Sequence, residues 1–389
     1  MAEIWVSTWR KKLFLRMLNL GARLIPAAGG LADSSRVGSG EDVRGILVVE
    51  LWNIGDIVLT LPFLAQLRRI FPHARVTLLA RPLAREVLQG TGLVDEFIAT
   101  DLGWTAKTAK GNPLAVHWNA LFRVWRELRR RRFDLAFQAR AHVREHLVLA
   151  MSGARRRIGP ALGAGNGALT DPIRRESSDR HKVNDWLALL QPFAVIADVP
   201  APRLVISESE RKWADEFLDM HGLLRSEELV GVHPGASVAE KRWPLDRFAE
   251  LARVLSSKSG VSVLWFVDET GYGSSVAEQP EVTKVAVGLR EMMALISRCV
   301  VLVSNDSGPM HIAGALGVPT VAIFGSGIAK WFGPLGSGHE MVAAPENASE
   351  AHRESQRGGG ILFVTTAMVF DAVERVRART QSTTIFAPR

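Results

Sequence analysis

Twice along the chain, a short uninterrupted apolar run opens an alternating series of strand-like and helix-like segments. The first is "GILVVEL" at Gly45–Leu51 and the second begins "LVGVHPG" at Leu229–Gly235. A run of that length without polar alternation suits a strand covered on both faces. Strands that alternate with helices fold as a parallel sheet with right-handed crossovers. After the first run come a helical segment to about Phe71, "RVTLLA", a helix-like Pro82 to Gln89 and "DEFIAT". A long basic helix around Leu114 to Arg132, "FDLAFQA" and a helix from about Val143 complete the series. The stretch "QPFAVIADVPAPRLVIS" is proline-spaced and linker-like. Beyond the second run lie a helix over Leu245–Ser257, "VSVLWF", a strand near Val282, a helix over Arg290–Arg298, "VVLVS", a further helix and "TVAIF". The expectation is an α/β chain of two doubly wound domains, 43–205 and 206–362, with a cleft between them. Ligands of such sheets sit beyond the carboxyl ends of the strands, so the loops after strands are where function is sought.

Bulk properties narrow the partners. A chain of 389 residues has room for two cores, and 47% hydrophobic with 23% charged residues excludes wholesale disorder. The formal charge of +8 favours an anionic partner: a phosphorylated ligand, an acidic membrane surface or nucleic acid. One cysteine, Cys299, supplies neither a disulfide framework nor a thiolate metal site and fits a reducing, cytosolic compartment. No apolar run approaches the ~20 residues of a spanning helix. The opening segment, 1–42, is expected to be a basic amphipathic leader and linker. In "WRKKLFLRMLNLGARLIP", Leu13, Phe14, Met17, Leu20 and Leu24 fall at helical spacing. Lys11, Lys12, Arg16 and Arg23 complement them, and the Gly/Ser-rich Gly29–Gly40 follows. That composition suits a helix lying on an anionic bilayer; a helix packed on its own domain has the same pattern.

Three loops after strands carry unusual residues. In "LWNIGDIVLTLP", Gly55 lets the backbone turn and Asp56 opens a helix, as a functional carboxylate or as a plain cap. In "GVHPGASVAEKRWP", small residues and the Ser237 hydroxyl allow an anion to approach, and Lys241 offers a point charge for phosphate. In "VVLVSNDSGPMHIAGALGVPTVAIFG", Asn305-Asp306-Ser307-Gly308 turns into a helix near Pro309, directing a positive helix end at a bound diphosphate. Asp306 is the expected cap of that helix, Ser307 a donor to phosphate, and His311 a neighbour of the same end; a lone histidine has a structural reading too.

Together these residues resemble the ADP-heptose:lipopolysaccharide heptosyltransferases, inverting enzymes of glycosyltransferase family nine with a GT-B fold of two Rossmann-like domains. The resemblance runs from about Gly45 to Arg377 and is most specific in the Asn-Asp-Ser-Gly-Pro-Met-His run. It implies that Asp56 is the catalytic base. It likewise implies that Ser237, Lys241, Asp306, Ser307, Gly308 and His311 surround the donor diphosphate, and that Glu269 or Asp268 holds the ribose. Inverting transfer needs a base for the acceptor hydroxyl and positive charge for the departing nucleotide diphosphate, and these residues supply both. No Asp-x-Asp triplet occurs, so neither a metal nor another cofactor is implied. In GT-B proteins a C-terminal helix crosses back to the first domain, and 363–389, with Val369, Ala372, Val373 and Val376 on one stripe, is expected to do so.

Two loops depart from the family pattern. Where Arg-x-Ser-Ser-x-Gly-Asp is usual, the chain reads Glu50-Leu51-Trp52-Asn53-Ile54-Gly55-Asp56. Where Asp-x-Gln-Gly follows the "FDLAF" strand, it has Gln138-Ala139-Arg140-Ala141. Both lie in the expected acceptor-binding domain. Asn53, Arg140, Arg144 and His181 are therefore the candidate acceptor contacts, for an anionic glycolipid or glycan that differs from the usual inner-core acceptor. The rival readings are a non-catalytic nucleotide-sugar-binding protein and a nicotinamide-dependent oxidoreductase, which lacks its Gly-x-Gly-x-x-Gly here. Nucleic acid is not an expected partner, for want of a recognised motif. The expected location is cytoplasmic, in solution or on the cytoplasmic face of the inner membrane.

Overall fold

The computed structural model describes residues 43–103, 117–161, 163–174, 180–224, 226–268, 270–275, 282–325, 329–344 and 359–385. The expectations for the leader 1–42 and for Glu269 lie outside the described residues. The chain separates into two compact units, the first ending at Pro200 and the second beginning at Ala201. Two short segments, Ile54–Leu59 and Glu86–Thr91, group with the second unit.

The first unit is built on β1 (Gly45–Glu50), β2 (Arg75–Ala80), β3 (Glu96–Ala99), β4 (Leu135–Phe137), β5 (Arg156–Pro160) and β6 (Asp171–Ile173). They form one parallel sheet in the order β3-β2-β1-β4-β5-β6, with Ile46 of β1 beside Val76 on one side and Leu135 on the other. Ile46, Leu47 and Val48 are fully buried, as an uninterrupted apolar run in a doubly covered strand should be. The second unit repeats the plan with β7 (Glu228–His233), β8 (Val261–Phe266), β9 (Val282–Val285), β10 (Val301–Asn305), β11 (Thr320–Phe324) and β12 (Glu340–Ala343). Its order is β12-β11-β10-β7-β8-β9, again parallel. In each sheet the winding reverses once, between β1 and β4 and between β7 and β10. At such a reversal the loops after the two neighbouring strands part and leave a crevice at the carboxyl edge.

The helices follow the expected sites: Ile54–Ile70, Trp118–Arg131, Val143–Ser152, Leu245–Ser256, Leu289–Ile296 and Gly308–Ala315, with a shorter Leu83–Val87. Three features depart from the sequence reading. Strands β5, β6 and β12 were not anticipated; they are short and carry Arg, Asp or Glu at their starts. The linker-like stretch is partly core, since Leu204 and Ile206 are buried and the Leu204 N–H donates to the Ala315 carbonyl at 2.9 Å. It delivers Ser207 to a capping box with Glu210 that starts the helix Glu208–Met220. The C-terminal helix, Thr366–Ile385, does not use its stripe to cross back. Val369, Ala372, Val373 and Val376 are buried with Val230, Trp243 and Phe248 in the core of the second unit. A stripe wide enough for one partner is satisfied there, because it packs against the apolar face of the second sheet.

Candidate active site

At the reversal point of the second sheet, the loops after β7 and β10 are tied together. Asn305, fully buried at the end of β10, accepts from the Trp243 N–H at 3.0 Å through Oδ1 and donates to the Pro234 carbonyl at 2.7 Å through Nδ2. That double bond fixes the loop Pro234–Trp243 against the start of the helix Gly308–Ala315. On this frame Lys241 Nζ lies 2.6 Å from Asp306 Oδ2, with the lysine side chain 37% and the aspartate 8% exposed. Asp306 is therefore the partner of Lys241 and not the helix cap expected from sequence. Ser307 occupies the cap position in extended backbone, φ −150° and ψ 171°, and its hydroxyl lies 3.1 Å from that of Ser304 instead of capping. The first turn of this helix thus has no side-chain cap, which keeps its positive end available to an anion. Ser237 is exposed on the β7 loop, and Arg242 holds that loop by donating from Nε to the Ala236 carbonyl at 3.1 Å. The Arg242 guanidinium also stacks 4.2 Å from the centre of the Tyr272 ring.

The loop after β8 adds Asp268. Its Oδ1 accepts from the Thr270 N–H at 2.9 Å, the Thr270 hydroxyl at 2.5 Å and the Tyr272 N–H at 3.0 Å. Burial raises its pKa, but these donors outweigh that and hold the carboxyl below its ordinary range. Gly235 sits between Asp268 and His233: a β-carbon there would lie 2.8 Å from Asp268 Oδ2 and 2.9 Å from His233 Cε1. Burial lowers the His233 pKa to about 4, against the pull of Asp268, so the ring is neutral at pH 7.

Asp56 stands in the first turn of the helix Ile54–Ile70, half-buried, in the short segment grouped with the second unit. Two glycines let this helix start meet that of Gly308–Ala315. A β-carbon on Gly55 would lie 2.7 Å from His311 Cδ2, and one on Gly308 would lie 3.1 Å from Ile54 Cβ. Buried His311 is thereby held against the turn that carries Asp56. Asp56, Gly308 and His311 come together with the Lys241–Asp306 pair one residue before Ser307.

The reversal point of the first sheet is built differently. Glu50, 2% exposed, accepts from the Trp52 N–H at 3.0 Å, and Glu145, 1% exposed, accepts from the indole Nε1 at 2.6 Å. Arg140 lies with its guanidinium 4.3 Å from the Trp52 ring centre and its Nε 3.8 Å from Glu50 Oε1. The Arg140 N–H donates to Gln138 Oε1 at 2.7 Å. His142 meets Trp52 edge-on at 6.4 Å, and burial with the neighbouring Arg144 and Arg140 lowers its pKa to about 4. Asn53 is exposed beside this group. His181 belongs elsewhere: it follows edge strand β6, and its Nδ1 accepts from the Val183 N–H at 3.3 Å at a helix start. Sequence reasoning named Arg140 and Arg144 but missed Trp52, Glu145 and His142 as their partners; the paired departures at Trp52 and Arg140 were the available signal.

The profile of glycosyltransferase family 9 (heptosyltransferase) matches residues 121–361. The chain belongs to that family. It is 26% identical over 309 residues to lipopolysaccharide heptosyltransferase 2 of Escherichia coli, covering 75% of this chain and 85% of that protein. It is 21% identical over 295 residues to the lipopolysaccharide core heptosyltransferase OpsX of Haemophilus influenzae, covering 73% and 80%. Among solved structures, the family 9 glycosyltransferase from Veillonella parvula superposes with a TM-score of 0.72 at 24% identity, covering 88% of this chain and 99% of that one. The E. coli ADP-heptose heptosyltransferase II gives 0.69 at 21% identity, covering 87% and 99%. The two parallel six-stranded sheets are thus the two Rossmann-like domains of a GT-B glycosyltransferase.

Proposed function

We propose that this family 9 glycosyltransferase moves heptose from ADP-heptose to a lipopolysaccharide-type acceptor with inversion at the anomeric carbon. One observation carries the reading. A side-chain-uncapped helix start at Gly308, flanked by Lys241 and His311, is packed on the turn that bears Asp56. In this reading the donor diphosphate lies on the Ser307–Gly308 backbone, with Lys241 and Ser237 on the side of the β7 loop. Asp268, in the loop after β8 beside Gly235, or Glu269, the next residue in sequence, takes the ribose.

Asp56 accepts the proton of the acceptor hydroxyl as that oxygen attacks the anomeric carbon. The bond from that carbon to the diphosphate oxygen breaks, and the negative charge that develops there meets Lys241 and the helix end. Arg140, Arg144 and Asn53 face an acidic or phosphorylated group of the acceptor, with the buried Glu50 and Glu145 holding the cluster in place behind them. The acceptor would be met on the cytoplasmic face of the inner membrane; no described helix is long and apolar enough to cross a membrane.

Calorimetric titration tests the donor assignment. ADP-heptose or ADP should bind more tightly than NAD or NADP, and the opposite order would transfer the site to the oxidoreductase reading.

A further inference from the structure

The helix Trp118–Arg131 of the first unit turns one stripe inward and another to solvent. Ala120, Val124 and Leu128 are buried in the core under the sheet. On the opposite side Trp118, Phe122 and Trp125 are 67%, 59% and 38% exposed. Steps of four and three residues place the three rings along one line of the helix surface. The Phe122 and Trp125 rings are 5.4 Å apart. Beside this line run the exposed Arg123, Arg126 and Arg130, and Arg129 falls among the rings. The helix has a single acid, Glu127, and Arg131 binds it at 2.6 Å while also meeting Glu96 of β3 at 2.9 Å. Among the described residues, the solvent side of this helix therefore carries arginines and large aromatic rings, and its one carboxylate, Glu127, is paired with Arg131.

A solvated helix face intersperses both signs of charge and spares its aromatic residues from water. Arginines in the last turn do complement the helix dipole, which accounts for Arg129 and Arg130 but not for Arg123, Arg126 or the rings. Tryptophan and phenylalanine beside arginine, on a helix anchored by its other face, is the composition that lies in the headgroup layer of an acidic bilayer. The chain's charge of +8 draws it to the same surface.

We propose that this face docks the protein on an anionic phospholipid bilayer, with Trp118, Phe122 and Trp125 seated at headgroup depth and the arginines against lipid phosphates. The inference deepens the transferase reading, since a glycolipid acceptor is presented at such a surface. Vesicle binding needs no transfer assay, so either statement can fail without the other.

The test uses the full chain with Asn119→Cys carrying an environment-sensitive fluorophore; Cys299 is 6% exposed and does not compete for the label. Vesicles of phosphatidylcholine with phosphatidylglycerol should shift the emission to the blue, phosphatidylcholine alone should not, and salt should reverse the shift. Combined Trp118→Ala, Phe122→Ala and Trp125→Ala should lower vesicle partitioning roughly tenfold or more with the melting temperature unchanged. Arg123→Gln and Arg126→Gln should each lower it roughly fivefold at low salt. Emission that stays aqueous while the protein sediments with vesicles would place docking on another segment and overturn the proposal. A lipid-independent shift that grows with protein concentration would assign the face to a second copy instead, and absence of vesicle binding would remove it.

Discussion

The two reversal points share one strand order and little else. In the second unit the loops after β7 and β10 present glycines, an uncapped helix end and the Lys241–Asp306 pair, joined by the amide of Asn305. In the first unit the loops after β1 and β4 present long side chains locked by two buried carboxylates, Glu50 and Glu145. Backbone donors fit a ligand of fixed chemistry such as a diphosphate, which every donor of this class carries. Long charged and aromatic side chains fit a ligand that varies, because each can be exchanged without rebuilding the sheet. The difference separates a constant function from an adjustable one on the same scaffold.

The largest effect that would sharpen this comparison comes from the turn that meets the helix Gly308–Ala315. Asp56→Asn keeps the shape of the residue and removes only its charge from the positive end of the helix, at a cost of ~1 kcal/mol or less in stability. It cannot take a proton, so the transfer rate should fall roughly a hundredfold to ten-thousandfold while ADP affinity and melting temperature hold. Near-normal turnover would reduce Asp56 to a first-turn carboxylate that only complements the helix dipole. Gly55→Ala comes next. Its new methyl would meet His311 at 2.7 Å, so the ring must move, and turnover should drop roughly tenfold by a steric route with no charge altered. An unchanged rate would mean that the position of His311 is immaterial.

On the other side, Glu145→Gln weakens the charged acceptor of the Trp52 indole bond at 2.6 Å without changing its shape. The acceptor KM should rise about three- to tenfold with donor affinity untouched, in line with the difference between a charged and a neutral hydrogen bond. A change in donor affinity instead would break the division of labour. The smallest effect joins the two units. His142 and His233 both have folded pKa values near 4, against an ordinary 6.5. The unfolded chain therefore binds protons that the folded chain refuses between pH 6.5 and 4. Their contribution to stability is complete above that window and is lost as pH falls through it. The melting temperature should decline from pH 6.5 towards 4, and His233→Asn should flatten the decline; an equal slope in that variant would move the effect to other groups.

Much of the scaffold was legible from sequence because buried parallel strands read as uninterrupted apolar runs, as β1, β7, β8, β10 and β11 do. Strands β5 and β6 were not, since "RRIGP" and "DPI" are edge-side segments with charge and proline that no apolar period marks. The loop after β10 and the helix it opens were readable from the Asn-Asp-Ser-Gly-Pro-Met-His run, yet the exchange of roles between Asp306 and Ser307 was not. It depends on Lys241, 65 residues earlier by numbering, reaching the carboxylate at 2.6 Å. The first unit's cluster was readable only as departures at Trp52 and Arg140. That the two meet, and that Glu145 fixes them, is tertiary information. The apolar stripe of the C-terminal helix gave its existence but not its partner, because a stripe of valines fits either sheet.

The claim that the second unit alone holds the donor is tested most directly by titrating ADP calorimetrically into Lys241→Ala and Arg140→Ala beside the unaltered protein. A charge-assisted phosphate contact is worth roughly 1.5–3 kcal/mol, so Lys241→Ala should weaken ADP binding about ten- to a hundredfold. Arg140→Ala should leave ADP affinity within about twofold of the unaltered protein, because its guanidinium is stacked on Trp52 beside Glu50 in the other unit. An ADP affinity that survives Lys241→Ala and collapses in Arg140→Ala would contradict the account.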